Sequence, residues 1–261
     1  MILIDLLNEI ERCSVSGHSK WASIKHKKAA NDAKRGKLFT KLLKEVTVAA
    51  RNGGGDPEMN PRLRTAIQAA KAANVPNDTI DRAVLKGTGD LEGINYEEVV
   101  YEGYGPSGVA LIIEVLTDNR NRSVSDLRNI LDRNGGAMGE RGCVSWMFEK
   151  RGLIFVERNS IDEDELFLIA AESGAEDLEI QENQIQIVCP FEGFESVRAA
   201  IQESQADISL AEITMVPQTT ITLDEKQAEG MIRLMDSLDD NDDVQKVYAN
   251  FDIPDDILEA A

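Results

Sequence analysis

The apolar pattern of this chain changes period once, and that change limits the fold more than any other feature. Up to about residue 90 apolar side chains recur at helical spacing; from Tyr96 onward short runs rich in β-branched and aromatic residues take over. In the first part, residues 21–32 read as a helix. Residues 37–51 read as another that follows Gly36 and stops at Gly53-Gly54-Gly55, whose first glycine suits a left-handed cap. Asn60-Pro61 supplies an N-cap and a first-turn proline for a helix over 62–73, and a fourth helix runs from 76 to 86 before Gly87. Alanine-rich helices of this kind pack as a small bundle.

In the second part, strands over 99–104 and 109–117 flank a turn at Gly105-Pro106-Ser107-Gly108. A helix over 123–134 follows, with Ser123 and Asp126 in capping positions, and then a strand over 144–148. The order strand 152–157, helix 162–173, strands 176–181 and 184–189, helix 192–203, strand 208–216 is βαββαβ, the ferredoxin-like split unit. The last helix, 224–238, and strand, 244–249, cannot bury a core alone and are expected to return to the sheet begun at Val99. The expected fold class is therefore α+β: a helical N-terminal bundle followed by two α/β sandwich domains, one discontinuous and one inserted and ferredoxin-like. The expected boundaries are an N-terminal extension at 1–15, a basic helical domain at 16–92, a discontinuous α/β domain at 93–149 plus 219–254, and the inserted domain at 150–218.

Charge divides the chain in the same place. The net charge is -19, yet residues 16–90 carry 15 basic and seven acidic side chains while residues 91–261 carry 12 basic and 37 acidic. A basic head on an acidic body marks an interaction surface, and phosphate is the partner that Lys and Arg clusters favour. On the helix over 37–51, Lys37, Lys41, Lys44 and Arg51 fall on one side and Phe39, Leu43, Val46 and Ala50 on the opposite side. A solvated helix face is the ordinary reading of such a stripe. Unmixed positive charge repels itself, however, and only Glu45 interrupts it, so a polyanionic partner is the more economical account.

Other chemistry finds little support. Gly103–Gly108 matches G-x-G-x-x-G, but a strand follows where a dinucleotide site needs a helix, so a hairpin turn is expected. Three cysteines, far apart, and two histidines support neither a disulfide framework nor a zinc site, and no metal or cofactor is expected. The run Asp239-Asp-Asn-Asp-Asp243 lacks the glycine and terminal Glu of a calcium loop and reads as a solvated turn. No apolar run approaches the ~20 residues of a membrane helix. The first thirteen residues hold Asp5, Glu9 and Glu11 where a leader carries positive charge, so no membrane partner and a cytoplasmic location are expected.

The candidate nucleic-acid-binding residues are Lys20, Trp21, Lys25, His26, Lys27, Lys28, Lys34, Arg35, Lys37, Lys41, Lys44 and Arg51. Trp21 suits either stacking on a base or plugging the bundle core. Arg120 and Arg122 offer a second phosphate contact, although they lie among acidic residues that favour internal ion pairs.

Gly17-His-Ser-Lys-Trp, Lys25-His-Lys-Lys-Ala-Ala, Asp32-Ala-Lys-Arg-Gly-Lys, Gly54-Gly-Asp-Pro, Asn60-Pro-Arg-Leu-Arg, Lys86-Gly-Thr-Gly, Tyr101-Glu-Gly-Tyr-Gly-Pro and Thr117-Asp-Asn-Arg-Asn-Arg together resemble the YebC/PmpR family. That family includes the mitochondrial translational activator of cytochrome oxidase subunit one. The resemblance spans residues 16 to about 252 and implies three domains, a helical head and two α/β domains around a cleft. It also implies a non-enzymatic regulator of gene expression, either a DNA-binding transcriptional regulator or a ribosome- and ribosomal-RNA-associated factor that assists translation through proline-rich stretches. The family pattern begins just before Gly17, so residues 1–14 are expected to be an added extension or the product of a misplaced start.

Overall fold

The structure, a computed structural model, describes residues 32–254 other than Glu182. The helix expected over 21–32 lies outside the described residues apart from its last position. Three helices form the head: α1 (Asp32–Gly53), α2 (Pro61–Ala72) and α3 (Asn77–Thr88). The break expected at Gly36 is absent. A glycine inside an exposed helix costs only about 1 kcal/mol relative to alanine, too little to interrupt twenty-two residues anchored by a buried face. The left-handed position after α1 belongs to Gly54 (φ +87°), not Gly53. Likewise α3 continues through Gly87 and turns at Gly89 (φ +88°). Gly87 serves packing instead: a Cβ there would stand 2.4 Å from the Thr47 carbonyl oxygen and 2.7 Å from the Ala50 Cβ, so only glycine lets α3 cross α1 this closely.

The turn back from α1 is held by Asn60. Its Oδ1 accepts from the Leu63 N–H, capping α2, while its Nδ2 donates to the carbonyls of Ala49 and Gly54, both at 2.8 Å. The core of the head is small and alanine-rich: Val46, Ala49, Ala50, Leu63, Ala66, Ala70, Val75, Ile80 and Ala83.

Beyond the head, β1 (Glu97–Tyr104), β2 (Ala110–Thr117), α4 (Arg120–Arg133) and β3 (Ala137–Met138) lead to a 3-10 turn at Ser145–Met147, where a strand over 144–148 was expected. The chain returns later as β8 (Ile221–Thr222), α7 (Glu225–Asp239), β9 (Val244–Ala249) and β10 (Phe251–Asp252). The antiparallel sheet runs β3-β1-β2-β9, with Ile113 opposite Val247. The returning strand thus sits at the sheet begun more than a hundred residues earlier. Leu111, Ile113 and Val115 face Leu127 and Leu131 of α4 and Met231, Leu234, Met235 and Leu238 of α7. Gly103–Gly108 links two antiparallel strands.

The intervening segment holds β4 (Phe148–Glu157), α5 (Glu163–Ser173), β5 (Asp177–Ile180), β6 (Gln184–Pro190), α6 (Phe194–Glu203) and β7 (Ile208–Pro217). Its antiparallel order is β5-β6-β4-β7, the ferredoxin-like arrangement, with Leu166, Ala170, Val197 and Ile201 of the two helices packed on Ile154, Val156, Ile185 and Ile187. The fold is α+β, helices first and antiparallel sheets after. Residues 146–220 form one compact unit; the head and the discontinuous sheet share the other.

Candidate nucleic-acid interface

Lys37, Lys41 and Lys44 lie at i, i+4 and i+7 on α1 and therefore share a face. Each meets an internal acceptor. The last carbonyls of a helix have no partner within it and form the negative end of its dipole. At the end of α7, the Lys37 ammonium donates to the Asp240 carbonyl at 3.0 Å, with that residue's carboxylate at 3.4 Å, and Lys41 donates to the Asp239 carbonyl at 2.6 Å. Farther along α1, Arg51 donates to the carbonyls of Ile94 and Tyr96 at 3.0 and 3.1 Å.

Lys44 goes deepest. Its Nζ donates to Asp243 Oδ1 and to the Asp242 carbonyl, both at 2.8 Å, and stands 5.4 Å from the centre of the Tyr96 ring. The Lys44 and Asp243 side chains are 9% and 8% exposed. Asp243 also accepts from the hydroxyls of Ser123 (2.8 Å) and Thr117 (3.2 Å) and from the Arg122 guanidinium (2.9 Å). Burial alone would raise its pKa. The hydrogen bonds from Lys44, Arg122 and Ser123, with the Lys44 charge, outweigh burial and hold it down at about 2. Asp243 is therefore ionised near neutral pH, at the centre of a buried hub.

The hub corrects three sequence expectations. Lys44 does not face solvent, so it cannot reach a phosphate without giving up Asp243. The run 239–243 is more than a solvated turn: Asp240 and Asp242 stay exposed, but Asp243 is buried and the carbonyls of 239, 240 and 242 accept from the lysine stripe. Ser123 does not cap α4: Asn119 does, accepting from the Arg122 N–H, while the Ser123 hydroxyl is spent on Asp243.

Around the hub, Arg62 forks onto both oxygens of Glu45 (2.8 and 3.1 Å) and reaches Glu98 at 2.7 Å, tying α2, α1 and β1 together. Arg120 pairs with Glu97 at 2.5 Å and Arg122 with Asp118 at 2.7 Å as well as with Asp243, so both candidates for a second phosphate contact are engaged internally. Another buried carboxylate escaped the sequence reading. Glu102 accepts three backbone N–H groups, from Gly142 (2.7 Å), Val144 (2.8 Å) and Ser145 (2.9 Å), and so pins the segment after β3 to β1. The acid-rich run opposite three helically spaced lysines could have revealed the hub. Nothing local signals the role of Glu102.

Lys20, Trp21, Lys25, His26, Lys27 and Lys28, and the side chains of Lys34 and Arg35, lie outside the described residues. Their sequence remains informative: residues 16–35 carry six basic groups against Asp32 alone, a balance of +5. Among the described residues no helix is long and apolar enough to cross a membrane.

Known proteins resemble the chain over nearly its whole length. Residues 19–90 match the family described as the TACO1/YebC protein N-terminal domain, and residues 96–251 the one described as the TACO1/YebC second and third domain. A "Probable transcriptional regulatory protein" of Desulfosudis oleivorans is 57% identical over 246 residues, covering 94% of this chain and 100% of that protein. One of the same description from Syntrophobacter fumaroxidans is 56% identical over 246 residues, covering 94% and 99%. The crystal structure of the conserved hypothetical protein Aq1575 from Aquifex aeolicus superimposes with a TM-score of 0.79 at 48% identity, over 90% of this chain and 97% of that one. With both parts matched in order, a head followed by second and third domains, the chain belongs to the TACO1/YebC family.

Proposed function

We propose that the protein is a non-enzymatic, nucleic-acid-binding regulator of gene expression, acting on DNA, and that its phosphate contacts come chiefly from Lys20, Lys25, Lys27, Lys28, Lys34 and Arg35, with Trp21 and His26 beside them. The observation that carries this reading is the division of the basic head into two parts. The stripe over 37–51 is balanced by the protein's own carbonyls and carboxylates, whereas the run over 16–35 places six cations against one acid. Lys37, Lys41 and Arg51 then contribute to the local potential more than to direct contact. The naming of close relatives as transcriptional regulators agrees with it. Phosphate contacts position a protein without reading bases, so target choice must come from elsewhere.

The test is the salt dependence of binding to a labelled DNA duplex. About five neutralised phosphates give a slope of log K against log salt of about -4 to -5, and K25A/K27A/K28A should reduce its magnitude by about 2 to 3. A slope near zero sinks the reading. Association with the ribosome is the second reading, favoured by the 16 acidic against four basic side chains of residues 146–220, which suit a particle containing basic proteins as well as RNA. Co-sedimentation with ribosomal subunits, lost with salt but not with DNase, together with weak duplex binding, would select it.

A further inference from the structure

The two helices of the inserted unit lie on the same face of one sheet, yet only one is amphipathic. In α6, Phe194, Val197 and Ile201 turn inward and the large apolar residues end there. In α5, Leu166 and Ala170 turn inward in the same way, but Phe167 is 57% exposed, Leu168 is 60% exposed and Ala171 is exposed as well. Residues three and four apart are neighbours on a helix, so Phe167, Leu168 and Ala171 form one continuous apolar stripe on the outer side. Single exposed apolar residues are ordinary, but a stripe opposite a helix's buried face is not required by the fold.

Carboxylates frame this stripe. Asp164 stands one turn before both Phe167 and Leu168, and Glu165 and Glu172 flank Leu168 at three and four residues. Glu163 is occupied by Arg158 at 2.7 Å, whereas Asp164, Glu165 and Glu172 have no ion-pair partner among the described residues. The unit as a whole carries a net charge of -12 over residues 146–220.

We propose that the outer face of α5 docks a basic amphipathic helix of a partner protein, whose apolar side covers Phe167, Leu168 and Ala171 and whose Lys or Arg side chains meet Asp164, Glu165 and Glu172. Charge selects this occupant. Nucleic acid and anionic membrane are repelled by the rim, and a symmetric contact with a second copy would set the same carboxylates against themselves. A basic helix instead gains the apolar contact and the flanking charge pairs together, as paired helices do across a coiled-coil seam.

The test uses the full chain and two labelled helical peptides of about 18 residues, five turns: one with Leu along one side and Lys elsewhere, the other with Ser in place of Leu. In about 0.15 M salt, fluorescence anisotropy should show the Leu/Lys peptide binding at least about tenfold more tightly than the Ser/Lys peptide. F167S/L168S should weaken the Leu/Lys peptide by about tenfold and leave the Ser/Lys peptide unchanged. E165Q/E172Q should weaken both by about threefold. The changed side chains are exposed, so thermal melts should coincide with wild type. Equal binding of the two peptides, no loss in F167S/L168S, or a wild-type dimer that this variant converts to monomer would each overturn the proposal.

Discussion

The two four-stranded sheets are built alike and stabilised differently. Each is antiparallel and packs one face against two helices, α4 and α7 on the first, α5 and α6 on the second. Yet the buried charged side chains among the described residues, Lys44, Glu102 and Asp243, all belong to the unit of the first sheet. The buried polar side chains of the second unit are the neutral Gln186 and Thr214. Among the described residues the second sheet takes its helices from its own βαββαβ run, and its other face buries the apolar Leu153, Phe155 and Val188, so no buried charge is used. The first also receives α1, a helix from a separate head, and the meeting is made by charge: a lysine stripe against the acidic end of α7. Apolar contact alone is weakly directional, whereas an ammonium hydrogen-bonded to a carbonyl and a carboxylate sets the position of a helix.

The strongest way to break this comparison is Asp243→Ala. It leaves Lys44 buried without its counter-ion and removes the carboxylate on which the Thr117 and Ser123 hydroxyls converge. Truncating one partner of such a pair costs about 3–5 kcal/mol. Hydrogen exchange should show the amides of β2, β9 and α1 losing protection while those of β4 and β6 keep theirs. Equal loss in both sheets would mean that the two units unfold as one.

Acid should separate the sheets more gently. The carboxyl of Asp243 is held at about 2 in the folded protein against an ordinary 3.8, so its contribution is fully present above about pH 4 and disappears as pH falls through 2. A difference of nearly two pH units corresponds to about 2 kcal/mol. Denaturant titrations of wild type and Asp243→Asn at stepped pH should therefore converge below about pH 2. Glu102 acts in the same direction. Its burial favours the neutral acid, but the N–H groups of Val144, Gly142 and Ser145 outweigh that and lower its pKa. Glu102→Gln replaces one accepting oxygen by an NH2 that faces backbone donors, and should cost about 1–2 kcal/mol, read as faster exchange of the Gly142 and Val144 amides.

Local chemistry made most of the fold legible. Asp162 and Asp224 cap α5 and α7, Asn60-Pro61 opens α2, and the βαββαβ order follows from alternating runs between turn residues. The hub was half legible. The spacing of Lys37, Lys41 and Lys44 shows a cationic face, but the groups that meet it lie about 200 residues away, and no local pattern reports a contact across that distance. The cap of α4 failed for a related reason. Asn119 and Ser123 are both competent caps, and the choice between them is made by Asp243, which claims the serine. Gly36 misled because glycine marks a helix end only where the chain must turn, and here α1 continues.

The smallest expected effect distinguishes the rim of the hub from its centre. The Lys37 and Asp240 side chains are 44% and 60% exposed, so water and salt screen their attraction, and what Lys37→Ala removes is mainly one donor from the end of α7. Its cost should be about 0.5 kcal/mol and should shrink further in about 1 M salt, whereas the Asp243→Ala deficit, being buried, should barely respond to salt. Duplex affinity should change less in Lys37→Ala than in K25A/K27A/K28A, because Lys37 already has an acceptor. If Lys37→Ala instead matched Asp243→Ala in size and salt response, the stripe and the buried pair would be a single cooperative latch, and the head would be free to bind polyanions only when that latch opens.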